Sequence, residues 1–295
     1  MLYAAVRGVI FAALLLLIGS QVAAALVQAQ LRADPELAFP LFVRLRRMLW
    51  PVVALLIVAV LAKGMLQLLS FRDPGERVTY DLVQAVLLTG GWGRSWLLQL
   101  CVAVLLLATL RWERQIVTHG VLAALIIWFQ TGMGHAAGAH WPEPLGRAVD
   151  AAHLIGLGFW LGTLAALAIA AFPSLHGEGR LPALAAVVRG FSFYARIGVA
   201  LVMASGVTAA LVYLGPVMTI AQSAWGRLLL IKLVCMTGVM ALGWYNWRIV
   251  TPALEGHHAT ARQRLRGAIR LELLLGLAML IITAMLVASP LPGEG

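Results

Sequence analysis

The chain has 295 residues, of which 62% are hydrophobic and only 12% charged, and a net charge of +10. Soluble domains carry roughly 25% charged residues, so a soluble enzyme and a soluble nucleic-acid-binding domain are excluded. A positive balance in so apolar a chain belongs to cytoplasmic loops facing anionic headgroups, with membrane lipid and no nucleic acid as its surroundings. The fold class is all-α: a polytopic membrane helical bundle of about eight spans, forming a single integral membrane domain over residues 1–295.

Residues 3–29 form the first apolar run, with Arg7 as its only charge, and read as an uncleaved helix. A loop carrying Arg32, Arg44, Arg46 and Arg47 leads to span 2, residues 48–70, which contains Lys63. The mixed-sign segment FRDPGERVTYD is solvated. Span 3 covers residues 95–110 and is the shortest; a polar turn at Arg111, Glu113 and Arg114 enters span 4, residues 116–134. Span 5 covers residues 147–172 and span 6 residues 190–213. Span 7, residues 226–247, ends in WYNWR, an aromatic and basic interfacial signature. A basic loop with His257 and His258 then leads to span 8, residues 268–288. Both cysteines, Cys101 and Cys235, fall inside spans, which indicates neither a disulfide framework nor a CxxC metal motif.

Orientation follows from the basic residues. The loops after spans 1, 3, 5 and 7, with their flanks, hold 14 arginines against 6 on the opposite side. The first set is expected on the cytoplasmic side, so both termini face the periplasm in a bacterium with two membranes.

Three of the seven histidines, His135, His140 and His153, lie within 19 residues beside Met133. His135 closes span 4, His140 lies in the connecting loop and His153 stands in the first turns of span 5. Imidazole with thioether suits a soft or borderline transition metal. The bland alternative is two interfacial histidines and one satisfied helix histidine. Asp150, one turn before His153, either orients an imidazole or favours the helix N-terminus. Trp160 follows His153 by seven residues, on the same helix face. Gly156, Gly158 and Gly162 read as close-packing positions.

Lys63, Lys232 and Glu272 are intramembrane charges, each costly in hydrocarbon. The two lysines are expected to snorkel outward, and Glu272 to lie about one turn inside the cytoplasmic end of span 8, interfacial unless hydrogen-bond donors, a metal or a proton satisfy it. Met65, Met133, Met203 and Met218 fall in or near the outer half, where thioethers either pass Cu(I) inward or simply fill the core. His119 stands alone at the other side. There is no Walker A loop, HExxH, GxSxG or DKTGT-like segment, and the chain reads as non-enzymatic.

With these residues in view, GMGHA at 132–136 and AAHLIGLGFWLGTL at 151–164 resemble the histidine and WLG signatures of the copper resistance D family. So do RGFSFYARIGVALVMASGVTAAL at 189–211, WGRLLLIKLVCM at 225–236 and RLELLLGLAMLIITAMLVASPLP at 270–292. The resemblance is strong from about residue 130 onward and rests before that on hydrophobic character and span count. It implies an eight-span inner-membrane copper protein, often encoded beside a small periplasmic copper carrier, that moves copper across or into the inner membrane. His135 and His153 match the family's histidine positions, and Trp160, Lys232 and Glu272 match its pattern; His140 falls on no family motif.

The expected function is therefore copper binding at the periplasmic face and inward transport. His135 and His153 are the leading ligands, His140 and Met133 complete the site, and Asp150, Trp160, Lys232, Glu272 and Met203 are supporting or pathway residues. The alternative is a b-type haem protein of electron transfer, with two histidines at equal depth as axial ligands.

Overall fold

The computed structural model describes residues 2–73, 75–112, 116–134, 142–175, 179–213, 224–256, 258 and 260–288. The described residues form helices and no strand, as the all-α reading requires. The helices are α1 (Leu2–Gln30), α2 (Pro35–Ser70), α3 (Tyr80–Thr89), α4 (Gly91–Thr109), α5 (Ile116–Thr131), α6 (Glu143–Leu175), α7 (Leu181–Tyr213), α8 (Gly226–Glu255) and α9 (Ala261–Ala288). Among the described residues seven are long and apolar enough to cross a membrane. The expected span 4 corresponds to α5, which is 16 residues long and falls short of that length. This is a multi-pass membrane protein.

Several boundaries differ from the sequence expectation, among them the starts of α7 at Leu181 and α9 at Ala261, and two of the differences have clear local reasons. The segment read as a loop after span 1 is the first half of α2. Asp34 caps it by accepting from the Leu37 N–H at 3.1 Å, with Pro35 and Glu36 in the first turn. Arg44, Arg46 and Arg47 are thus helical, and hydropathy alone hid the extension. Likewise α6 starts at Glu143, with Pro144 in its first turn. His153 therefore lies about three turns inside it rather than two at most.

Short π turns interrupt α3, α6 and α8, at Gln84–Thr89, Gly158–Gly162, Leu167–Ala171 and Asn246–Val250. Each such turn frees a backbone carbonyl that the regular ladder would bond. Threonine hydroxyls fill that role: Thr89 donates to Gln84 O at 3.2 Å, Thr163 to Gly158 O at 3.2 Å and Thr251 to Asn246 O at 3.0 Å. Two of the turns precede Pro173 and Pro252, whose missing N–H breaks the α ladder at the same place.

Helix α1 is the axis of the bundle and touches α2, α5, α6, α7 and α9. Its contact with α6 is a close approach of backbones: a Cβ on Gly19 or on Gly162 would collide with the backbone of the other helix. Gly156 of α6 and Gly198 of α7 meet in the same way, a Cβ on Gly156 falling 2.7 Å from Gly198 O. Small residues at these crossings replace a hydrophobic driving force that lipid cannot supply between helices. One apolar cluster joins the first half of α1 to α2, α4 and α5; a second joins its last half to α6, α7, α8 and α9.

Candidate functional site

At the end of the bundle where α1 begins, α5 stops at Thr131 and the chain turns through Gly132, Met133 and Gly134. The Met133 N–H bonds Gln130 O at 3.3 Å and the Gly134 N–H bonds Thr131 O at 3.2 Å. Polar side chains from α4 and α6 cradle the turn. A Cβ on Gly132 would fall 2.6 Å from Ser95 Oγ and 3.0 Å from Arg147 Nη2, and one on Gly134 would lie 3.8 Å from Asp150 Oδ2. Arg147 itself is fixed, donating to Trp128 O at 3.0 Å with its guanidinium 4.5 Å from the Trp128 ring. Asp150 lies near enough to Arg7 of α1 for the charges to interact. Because α6 begins at Glu143, that residue and not Asp150 occupies the first helical turn, so the helix-terminus reading of Asp150 is overturned.

Met133 is 7% exposed, and Lys63 Nζ donates to its Sδ at 3.4 Å. Lys63 does not snorkel. It is fully buried on α2, with Nζ 5.5 Å from the centre of the Trp92 ring. Trp96 holds this part of α4 against α2 by donating to Val60 O at 2.7 Å.

His153 points elsewhere. Its Nδ1 lies 3.0 Å from Ser205 Oγ on α7, and Ser205 donates its single proton to Leu201 O at 2.5 Å. The network therefore assigns the proton between ring and serine to Nδ1, leaving the lone pair on Nε2. That tautomer is the metal-ligating form with its outer nitrogen oriented by a second residue. Lys232 of α8 is close enough to His153 for their charges to interact. Met133 and His153 thus have their polar partners on different helices.

Glu272 is buried within the bundle. It stands eleven residues into α9, about 16 Å from the helix start, and is 3% exposed. Asn246 Nδ2 donates to its Oε1 at 2.6 Å, and the Trp160 side chain also hydrogen-bonds to the carboxylate. Trp160 is buried against Gly198. Met203 lies on the outside of the bundle at 39% exposure, as do Met65 and Met240, while Met236 is buried in the core. The described thioethers therefore form no continuous line. His119 does not stand alone either: Arg46 Nη1 lies 3.0 Å from its Nδ1 and Thr109 O 3.1 Å from its Nε2. Both ring nitrogens are occupied, which removes His119 as a free axial ligand.

His135 and His140 lie outside the described residues, as does Met218. Among the described residues no three His, Cys, Asp or Glu side chains converge on one point. The sequence reading missed Ser205 behind His153, the Lys63 contact with Met133, Arg46 beside His119 and Asn246 beside Glu272. A polar residue within a hydrophobic run was the only signal available for each.

The profile of the family described as copper resistance protein D matches residues 185–286. That of the copper resistance protein D-like N-terminal domain matches residues 1–141. The first 130 residues thus carry more of the family pattern than hydrophobic character alone, while the segment with His153 and Trp160 lies between the two matches. Copper resistance protein D of Pseudomonas syringae pv. tomato is 27% identical over 207 residues, covering 64% of this chain and 65% of that protein's own length. No solved structure matches the chain. With two family profiles in order along it and a helical membrane bundle throughout, the chain belongs to the copper resistance protein D family.

Proposed function

We propose that this protein acts in copper resistance and homeostasis as an inner-membrane copper protein that binds copper at its periplasmic face and passes it inward. The observation that carries the reading is the half-buried His153, whose Nδ1 lies 3.0 Å from Ser205 Oγ, which leaves Nε2 as the proposed ligand atom. His135 is the second ligand, and His140 and Met133 complete the site. Histidine with thioether suits copper in either oxidation state, whereas carboxylate-preferring ions find few oxygens here. The 14-to-6 arginine asymmetry puts the site outward, where a small periplasmic carrier protein delivers copper. Trp160, Lys232 and Glu272 serve the inward path, Lys232 beside His153 and Glu272 deeper in the bundle.

The test is metal analysis of purified protein. His135→Ala and His153→Ala each abolish stoichiometric copper binding, His140→Ala reduces it, and His176→Ala leaves it intact. Ser205→Ala weakens copper binding by about 10- to 100-fold, as loss of an orienting partner does. Full occupancy in both the His135 and His153 variants places the copper elsewhere and ends this reading.

A further inference from the structure

Lys63 has unusual company for a buried ammonium. Ammonium groups in hydrocarbon are stable when carboxylates or backbone carbonyls surround them. Here Nζ has a thioether sulfur at 3.4 Å and an indole face at 5.5 Å. No ion pair to it occurs among the described residues. Both partners are neutral, soft and polarizable. A thioether is a weak hydrogen-bond acceptor, and an aromatic face attracts a monovalent cation with little preference for its hydration chemistry. The same pair suits Cu(I), which prefers thioether and other soft donors to oxygen.

We infer that Met133 Sδ and the Trp92 ring form a soft monovalent-cation site that the Lys63 ammonium occupies until Cu(I) displaces it. The inference rests on the copper reading above and extends it: Trp92 joins the site, and Lys63 is a positioning residue that competes with the metal. Displacement has a place to go. Gln67 is one turn further along the same face of α2, and its Oε1 accepts from Tyr3 Oη at 3.1 Å, at the end of the bundle where α1 begins. The lysine stem is long enough to carry its ammonium toward that amide. A cation that must be pushed aside weakens copper binding and eases release, which a transfer protein needs and a storage protein does not.

The test is competition for Cu(I) between the detergent-purified full chain and a chromogenic Cu(I) chelator, under anaerobic reducing conditions. Removing a buried like charge from the site raises affinity, so Lys63→Leu binds Cu(I) at least about tenfold more tightly than the parent. The gain disappears when Met133→Leu is added and shrinks when Trp92→Phe is added; a structural role for Lys63 alone predicts neither dependence. Lys63→Gln, uncharged but polar, shows the same direction and replaces Lys63→Leu if that variant does not elute as a single species. An affinity unchanged or lowered in both Lys63 variants overturns the inference, and so does a gain that persists without Met133. If the parent and both Lys63 variants bind no Cu(I), the copper reading itself has failed; if only the Lys63 variants bind, the competition is demonstrated directly.

Discussion

Asn246 and Glu272 are joined by a 2.6 Å hydrogen bond from the amide to the carboxylate, between α8 and α9. Asn246 opens the π turn of α8, so a local irregularity of one helix delivers the donor that the buried acid of the next requires. Glu272→Gln keeps an acceptor in place while removing the charge. The protein is expected to fold at normal level and cellular copper accumulation to fall severalfold. Asn246→Ala leaves the carboxylate short of a donor and costs about 1–3 kcal/mol, read as a lower unfolding temperature. Unchanged accumulation in Glu272→Gln at equal protein level reduces the pair to a structural one.

The orientation is tested by single cysteines in a background with Cys101 and Cys235 replaced. Val78 is exposed between α2 and α3, and Thr260 is exposed between α8 and α9. An impermeant thiol reagent added to intact spheroplasts is expected to label Val78→Cys and to leave Thr260→Cys unmodified until the cells are broken. The reverse pattern turns the copper site inward.

His119 and Arg46 tie α5 to α2 at the opposite end from Met133. Each of His119→Leu and Arg46→Leu strands a buried polar partner and is expected to destabilise the protein by about 1–3 kcal/mol. The double variant strands neither, so its loss is smaller than the two single losses together. Copper stoichiometry stays at the parental value in all three, because both imidazole nitrogens of His119 are committed within the bundle.

Gly162 sits where α6 crosses α1, with Leu15 O and Gly19 against it. Gly162→Leu must separate the two helices and is expected to cost about 1–3 kcal/mol or more. Gly243→Ala, where an added Cβ meets nothing within 4 Å, is expected to be neutral or to stabilise α8 by about 0.5–1 kcal/mol. Thermal unfolding of the two in detergent distinguishes a crossing point from a surface position; equal stability would mean that the crossing is not tight.

Long apolar runs with few charges determined by themselves that this is a helical membrane bundle, because hydrocarbon leaves the backbone no other way to satisfy its own polar groups. The same runs located the seven described helices long enough to cross a membrane and, as α5, the shorter fourth run, and the spaced glycines of span 5 were legible as contact points. Family signatures from GMGHA onward were legible too, since a motif is a property of the order of residues. Tertiary structure alone decided where the intramembrane polar groups find partners. Whether Lys63 snorkels or reaches Met133, whether His119 is alone or beside Arg46, and whether Glu272 is without a donor or hydrogen-bonded to Asn246 depends on which helices are neighbours and on their rotation. π turns at Gly158–Gly162 and Asn246–Val250 shift that rotation partway along a helix. A sequence read at a constant 3.6-residue period therefore does not recover the helix that a side chain faces.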